Sequence, residues 1–325
     1  MLTVLVGVRS TILRPVDAAV LTAPGTPRFA SYDEPSAGEG QAVVDVAVAG
    51  MNPVDITIAA GRFAHLKPSF PCVAGREGVG TLGQRRVYFG TTVQPFGSMA
   101  ERSLVASGEV FDLPDGLDDG LAVALGVAGL AAWIPLTLRA KLEPGETVLV
   151  LGATGVLGTI AVQAAKLLGA GRVIAAGRDA EGLRVATERG ADATVDISAV
   201  DDLAAAFREA AGGAVDVTID PLWGPPALAA LQASARFARL VQIGNSAAAS
   251  LELPSGAFRQ TSTSIIGYTT ATATWHERAG AYAALIEHAA AGRIVVDVER
   301  IPLRDVAVAW ERQASHAHRK LVLVP

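Results

Sequence analysis

The sequence predicts an α/β fold in two parts, a β-rich unit and a doubly wound parallel sheet, on three observations. Residues 17–113 carry short apolar runs broken by Gly/Pro-rich turns. Residues 118–269 alternate Val/Ile/Leu strands with Ala/Leu-rich helices, the pattern of a parallel sheet covered on both faces. One strand of that second region runs directly into a turn whose glycines stand three apart. The 325 residues suffice for about two domains at roughly 150 residues each.

Taken in order, strands of the first unit are expected at 18–21, 42–48, 86–89 and 102–105, each an apolar run bounded by turn residues. The parallel sheet is expected to use strands at 147–151, 172–176, 215–219 and 239–243. Helices at 156–168, 180–189, 200–211 and 226–233 join them, and each connection is long enough for a right-handed crossover. Residues 262–268 read as an edge strand of that sheet, and an unprotected edge invites pairing with a second copy. Beyond residue 270, a helix at 277–291, a strand at 295–298, a helix at 303–313 and a strand at 320–324 are placed to complete the first unit.

Composition excludes several classes of function. Lys+Arg 27 against Asp+Glu 32 gives a net charge of −5, so no basic field attracts nucleic acid or an anionic membrane. Cys72 is the only cysteine, which rules out an intrachain disulfide and a metal site built on several thiolates. The uncharged stretches 120–138 and 147–165 are long enough to test as membrane spans. Glycines and Pro135 interrupt the first, and the second divides into strand, glycine turn and helix. No targeting pattern is read at the N-terminus, and the expected compartment is the cytoplasm.

The segment Thr147-Val-Leu-Val-Leu-Gly152-Ala-Thr-Gly155-Val-Leu-Gly158 has the chemistry of a dinucleotide site. Gly152 permits the tight turn, Gly155 lets a pyrophosphate approach the backbone, and Gly158 allows helix to pack on strand. Amides of Thr154, Gly155, Val156, Leu157 and Gly158 would then meet the diphosphate at a helix N-terminus. The next strand ends in Gly177-Arg178 with no carboxylate at its tip. Gly177 is expected to leave room for a 2′-phosphate beside the Arg178 guanidinium, which selects NADP(H) over NAD(H). Asp179 has two readings, a ribose acceptor or the cap of the following helix, and the cap is preferred.

Together with the stretches Ala18-Ala-Val-Leu-Thr-Ala-Pro-Gly25, Gly50-Met-Asn52-Pro-Val-Asp55, Pro71-Cys-Val-Ala-Gly75-Arg76-Glu77-Gly-Val-Gly80, Val127-Ala-Gly-Leu-Ala-Ala-Trp133 and Leu142-Glu-Pro-Gly-Glu-Thr-Val148, the chain resembles the medium-chain dehydrogenase/reductase superfamily, in its zinc-less quinone oxidoreductase branch. The resemblance implies a GroES-like catalytic domain at 17–128 and 269–325, a Rossmann domain at 129–268, and an extension at 1–16. It also implies hydride transfer from NADPH to a small-molecule quinone, enone or enal, and a homodimer.

Zinc-dependent relatives have a cysteine and a histidine where this chain has Asn52 and Arg76, so no metal is expected. The five histidines are scattered, and His316 and His318 read as an exposed pair rather than ligands. By resemblance, Asn52 would lie near the nicotinamide, positioning the acceptor or donating to its developing oxyanion. Gly244, Asn245 and Ser246 would line the cofactor's far side, and Lys320 would reach the cofactor from the last strand. Asp55 and Glu77 are expected as partners of arginines such as Arg76.

Thr57 and Phe63 stand where relatives have tyrosines, the second being the proton donor of enoyl-thioester reductases, and Ala131 replaces a usual threonine. Protonation would then fall to water or Tyr268. Trp223 either walls the nicotinamide pocket or fills core. The segment between Gly80 and Arg86 is short, which would reshape the rim of the site. Two alternatives stay open beside the quinone or enone reductase: a same-fold reductase of another carbonyl or an enoyl thioester, and a non-catalytic NADPH-binding module.

Overall fold

The computed structural model describes residues 14–63, 66–315 and 317–325. Most of the extension expected at 1–16 lies outside the described residues, as do His65 and His316.

Six parallel strands form the nucleotide sheet, in the spatial order Ala193–Asp196, Arg172–Gly177, Thr147–Leu151, Val215–Asp220, Ser234–Gln242 and Ser264–Gly267. Val148 to Leu151 are wholly buried because helices cover both faces, which is why the strand reads as an unbroken apolar run rather than an alternating one. Chain order reverses between Thr147–Leu151 and Val215–Asp220. In sheets of this kind, ligands are taken outside the strand carboxyl ends at such a reversal.

Ser234–Gln242 begins earlier than the strand expected at 239–243; a register shift between Val215 and Val217 and the positive φ of Phe237 (64°) accommodate the extra residues. The strand Ala193–Asp196 is absent from the sequence expectation, its four residues being too few to show a period. At the opposite margin, Ser264–Gly267 is the edge strand the sequence predicts.

The β-rich unit holds a seven-stranded sheet ordered Val298–Pro302, Lys320–Val324, Gln41–Gly50, Gly78–Leu82, Arg85–Phe89 and Val110–Asp112, with Arg102–Ala106 also pairing on Gln41–Gly50. Through this sheet the tail returns, Val322 opposite Gly50 and Leu323 opposite Ala49. A two-residue turn starting at Gly83 (φ 62°) joins Gly78–Leu82 to Arg85–Phe89 and accounts for the short segment there.

The strand expected at 295–298 lies instead at Val298–Pro302. Val295 is diverted because the Gln163 side chain takes both of its backbone groups, donating to its carbonyl and accepting from its amide at 2.9 Å each. That pair ties the tail to helix Val156–Leu167. No helix among the described residues is long and apolar enough to cross a membrane.

Candidate active site

The glycine turn has the geometry its sequence requires. Gly152 adopts φ 61°, a left-handed conformation that glycine tolerates at little cost. A Cβ on Gly158 would lie 2.3 Å from the Gly152 carbonyl oxygen, so helix and strand meet there only without a side chain. On Gly155 a Cβ would find only that same oxygen, at 3.6 Å, leaving its outer face open. Gly155 caps helix Val156–Leu167 with no side-chain hydrogen bond. The amides of Val156, Leu157 and Gly158 therefore have no intrahelical acceptor and stand at the positive end of the helix dipole.

At the second strand tip, Arg178 is exposed and makes no ion pair or hydrogen bond among the described residues. Asp179 caps helix Ala180–Glu188 by accepting from the Gly182 amide at 2.7 Å, which settles its two readings in favour of the cap. Gly177 requires a correction. A Cβ there would come within 2.6 Å of Thr154 Cγ2, so Thr154 already fills the space expected to admit a phosphate. Room beside Arg178 must lie outward of Gly177.

On the far side, residues Gly244, Asn245 and Ser246 follow strand Ser234–Gln242 and fold onto the preceding loop. Ser246 donates to the Pro221 carbonyl through its amide (3.3 Å) and its Oγ (3.2 Å). Pro221 and Leu222 in turn lie against Gly152. Asp220 Oδ1 accepts from the Leu222 and Trp223 amides, each at 2.8 Å, and burial pushes this carboxyl up to about 6. Trp223 is partly buried and packs against the sheet's core.

Asn52 lies in a buried polar cluster instead of facing outward. Glu77 Oε1 accepts from Asn52 Nδ2 (2.7 Å) and Lys320 Nζ (2.6 Å), while Glu77 Oε2 accepts from Tyr88 (2.9 Å) and the Val127 amide (2.7 Å). Lys320 also donates to Asn52 Oδ1 at 2.7 Å. Asp55 accepts from the Asn52 amide at 2.8 Å and, being buried beside Glu77, is pushed up to about 6.

Four expectations change here. The Nδ2 of Asn52 is directed at Glu77 and, at 3.5 Å, Asp55, so no donor remains for an oxyanion and its role reduces to positioning. Lys320 is 1% exposed with its donors spent on Asn52, Glu77 and the Met51 carbonyl, so it braces the floor of the site rather than touching a cofactor. The partners of Asp55 and Glu77 are Asn52 and Lys320, not arginines. Tyr268 is buried with Arg139 over its ring, and burial pushes its hydroxyl up, which makes it a poor proton donor at neutral pH.

Sequence reasoning also misses His318. Its Nδ1 lies 3.2 Å from the Thr154 carbonyl, which brings the tail against the glycine turn. Only the resemblance of Arg319-Lys320 to a cofactor-side pair points to that neighbourhood.

A family model described as zinc-binding dehydrogenase matches residues 156–287. The chain is 30% identical over 306 residues to a phenolphthiocerol/phthiocerol polyketide synthase of Mycobacterium tuberculosis, 87% of this chain but 13% of that protein. It is 30% identical over 215 residues to mouse quinone oxidoreductase-like protein 2, 64% of this chain and 61% of that one. The chain thus spans less than two thirds of either of these curated relatives. Among solved structures, the quinone oxidoreductase of Thermus thermophilus, also described in complex with NADPH, is 30% identical with a TM-score of 0.77, over 95% of this chain and all of that one. With this fold and glycine turn, the chain belongs to the medium-chain dehydrogenase/reductase superfamily, in its quinone oxidoreductase branch.

The zinc in the family model's description does not fit these residues. Arg76 offers no lone pair, Asn52 is committed to Glu77 and Lys320, and no group of three or more His, Cys, Asp or Glu side chains among the described residues is arranged to hold a metal.

Proposed function

We propose that the chain is an NADPH-dependent, zinc-independent oxidoreductase that reduces quinones or α,β-unsaturated carbonyl compounds. The observation that carries this reading is the glycine turn, whose open face at Gly155 adjoins an uncapped helix N-terminus. When bound there, NADPH would supply a hydride. Amides of Thr154, Val156, Leu157 and Gly158 would hold its diphosphate, the Gly155 amide being given to the Gly152 carbonyl at 3.1 Å, with Arg178 at its 2′-phosphate and Gly244, Asn245 and Ser246 bordering the reactive end. The Asn52, Glu77 and Lys320 cluster keeps the floor of the site rigid and dry. The Thermus relative, described with NADPH, supports the choice of cofactor.

We assign residues 17–128 and 269–325 to the catalytic domain and 129–268 to the nucleotide domain. Homodimer formation would run through Ser264–Gly267, an edge strand on which Ile265 is 36% exposed. A second reading, reduction of a carrier-bound enoyl thioester, gains support from the polyketide synthase relative, whose match takes in 87% of this chain.

Steady-state NADPH oxidation with a quinone, a short alkenal and an enoyl-CoA separates these readings. Turnover on either of the first two is expected. Turnover on the thioester alone favours the second reading, and saturable cofactor binding with no acceptor turned over identifies a non-catalytic module.

A further inference from the structure

A cavity of about 220 Å³ adjoins the Asn52 cluster, lined by Asp55, Arg76, Thr91, Thr92 and Gln94 on an otherwise apolar wall that includes Trp310. At about 30 Å³ per water this volume equals roughly seven waters, room for a short-chain acid. Two of its polar groups are left over from the interactions already described. Arg76 is half-buried and makes no ion pair or hydrogen bond among the described residues. Asp55 is 3% exposed, and its Oδ1 has no hydrogen-bond partner.

An unpaired guanidinium in a confined cavity is stabilised by an anion, and its planar fork matches a carboxylate. Lys320, the nearest other buried cation among the described residues, is paired with Glu77 at 2.6 Å. Cys72, also in the wall, brings no competing charge because burial pushes its thiol up. Asp55 and Arg76 form no ion pair among the described residues, although the guanidinium is near enough to lower the Asp55 carboxyl. Asp55 also sets the ligand's charge. A dianion would be repelled by it more strongly than a monoanionic carboxylate.

We propose that this cavity is a subsite for a carboxylate carried by the acceptor, with Arg76 as the residue that selects it. The inference rests on the reductase reading given above and narrows its substrate class to small unsaturated carbonyl compounds that bear an acid group.

The test compares β-acetylacrylate with its methyl ester as acceptors for NADPH oxidation. The ester is the better electrophile, so a preference for the acid has to come from the protein. In the unmodified enzyme kcat/KM is expected to favour the acid by about tenfold or more, the scale of one charge-assisted hydrogen-bonded pair. Arg76→Met is expected to lose that ratio, and Arg76→Lys, which keeps the charge without the fork, to recover part of it. Calorimetry with levulinate, which has no double bond to reduce, is expected to show binding to the unmodified protein that weakens at least about tenfold in Arg76→Met.

Equal use of acid and ester by the unmodified enzyme, or an acid preference that survives in Arg76→Met, overturns the subsite while leaving the reductase standing. Levulinate binding that depends on Arg76, with neither of these acceptors nor a quinone reduced, supports the subsite and removes the reductase reading.

Discussion

Lys320 Nζ lies 2.6 Å from Glu77 Oε1, and the two side chains are 1% and 0% exposed. A cationic side chain from the last strand thereby meets the Gly75-Arg76-Glu77 motif in the buried centre of the β-rich unit. The remaining Glu77 oxygen accepts the Val127 amide, at the start of helix Val127–Ile134, so one carboxylate joins the tail, the motif and that helix N-terminus.

Breaking this pair leaves a buried charge without compensation. Lys320→Met is expected to destabilise the fold by about 3–5 kcal/mol, while Glu77→Gln combined with Lys320→Met loses less than the sum of the single variants. Urea unfolding of the two single variants and the double variant measures that coupling.

Gly158→Ala places a Cβ 2.3 Å from the Gly152 carbonyl oxygen, where backbone rather than a flexible side chain has to move. A loss of about 1–3 kcal/mol is expected, as for overpacking elsewhere in a close-packed interior, read as a lowered denaturant midpoint at unchanged slope.

Arg178→Ala is expected to weaken NADPH binding by about tenfold or more and to leave NADH binding nearly unaltered, because only the phosphorylated cofactor offers the guanidinium a charge partner. Nicotinamide fluorescence titration with both cofactors reads this directly, and an equal loss of both removes Arg178 from the 2′-phosphate.

Asp55 gives a pH dependence of definite sign. Its carboxyl is raised from 3.8 to about 6 in the folded chain, so the stability tied to its protonated form is full below about 4 and is lost as pH rises through about 6. Asp55→Asn removes this titration, so its stability relative to the unmodified protein is expected to improve between about pH 4 and pH 8, by at most about 3 kcal/mol. Thermal unfolding of both proteins across that range checks the slope, and a flat or falling difference contradicts the assignment.

The parts of the molecule legible in the sequence are those whose cause is local. Strand Thr147–Leu151, the tight turn at Gly152 and the close packing at Gly158 follow from a contiguous stretch, and each is met in space. The cap at Asp179 likewise needs only a partner three residues away. What escapes the sequence depends on long-range contact. Lys320 and Glu77 are 243 positions apart, and Thr154 fills the space beside Gly177 only because two parallel strands lie in register. Val295 reads as strand because its apolar neighbours suit one, yet the Gln163 side chain, 132 residues earlier, claims its backbone.

The most direct test of the account is an NADPH titration of Gly155→Ala against the unmodified protein, with thermal unfolding of both. The position has open space for a methyl group, so an unaltered midpoint is expected, while the methyl stands where the diphosphate must approach and affinity falls by about tenfold or more. Unchanged NADPH affinity in a folded Gly155→Ala would contradict the claim that the glycine turn holds the cofactor.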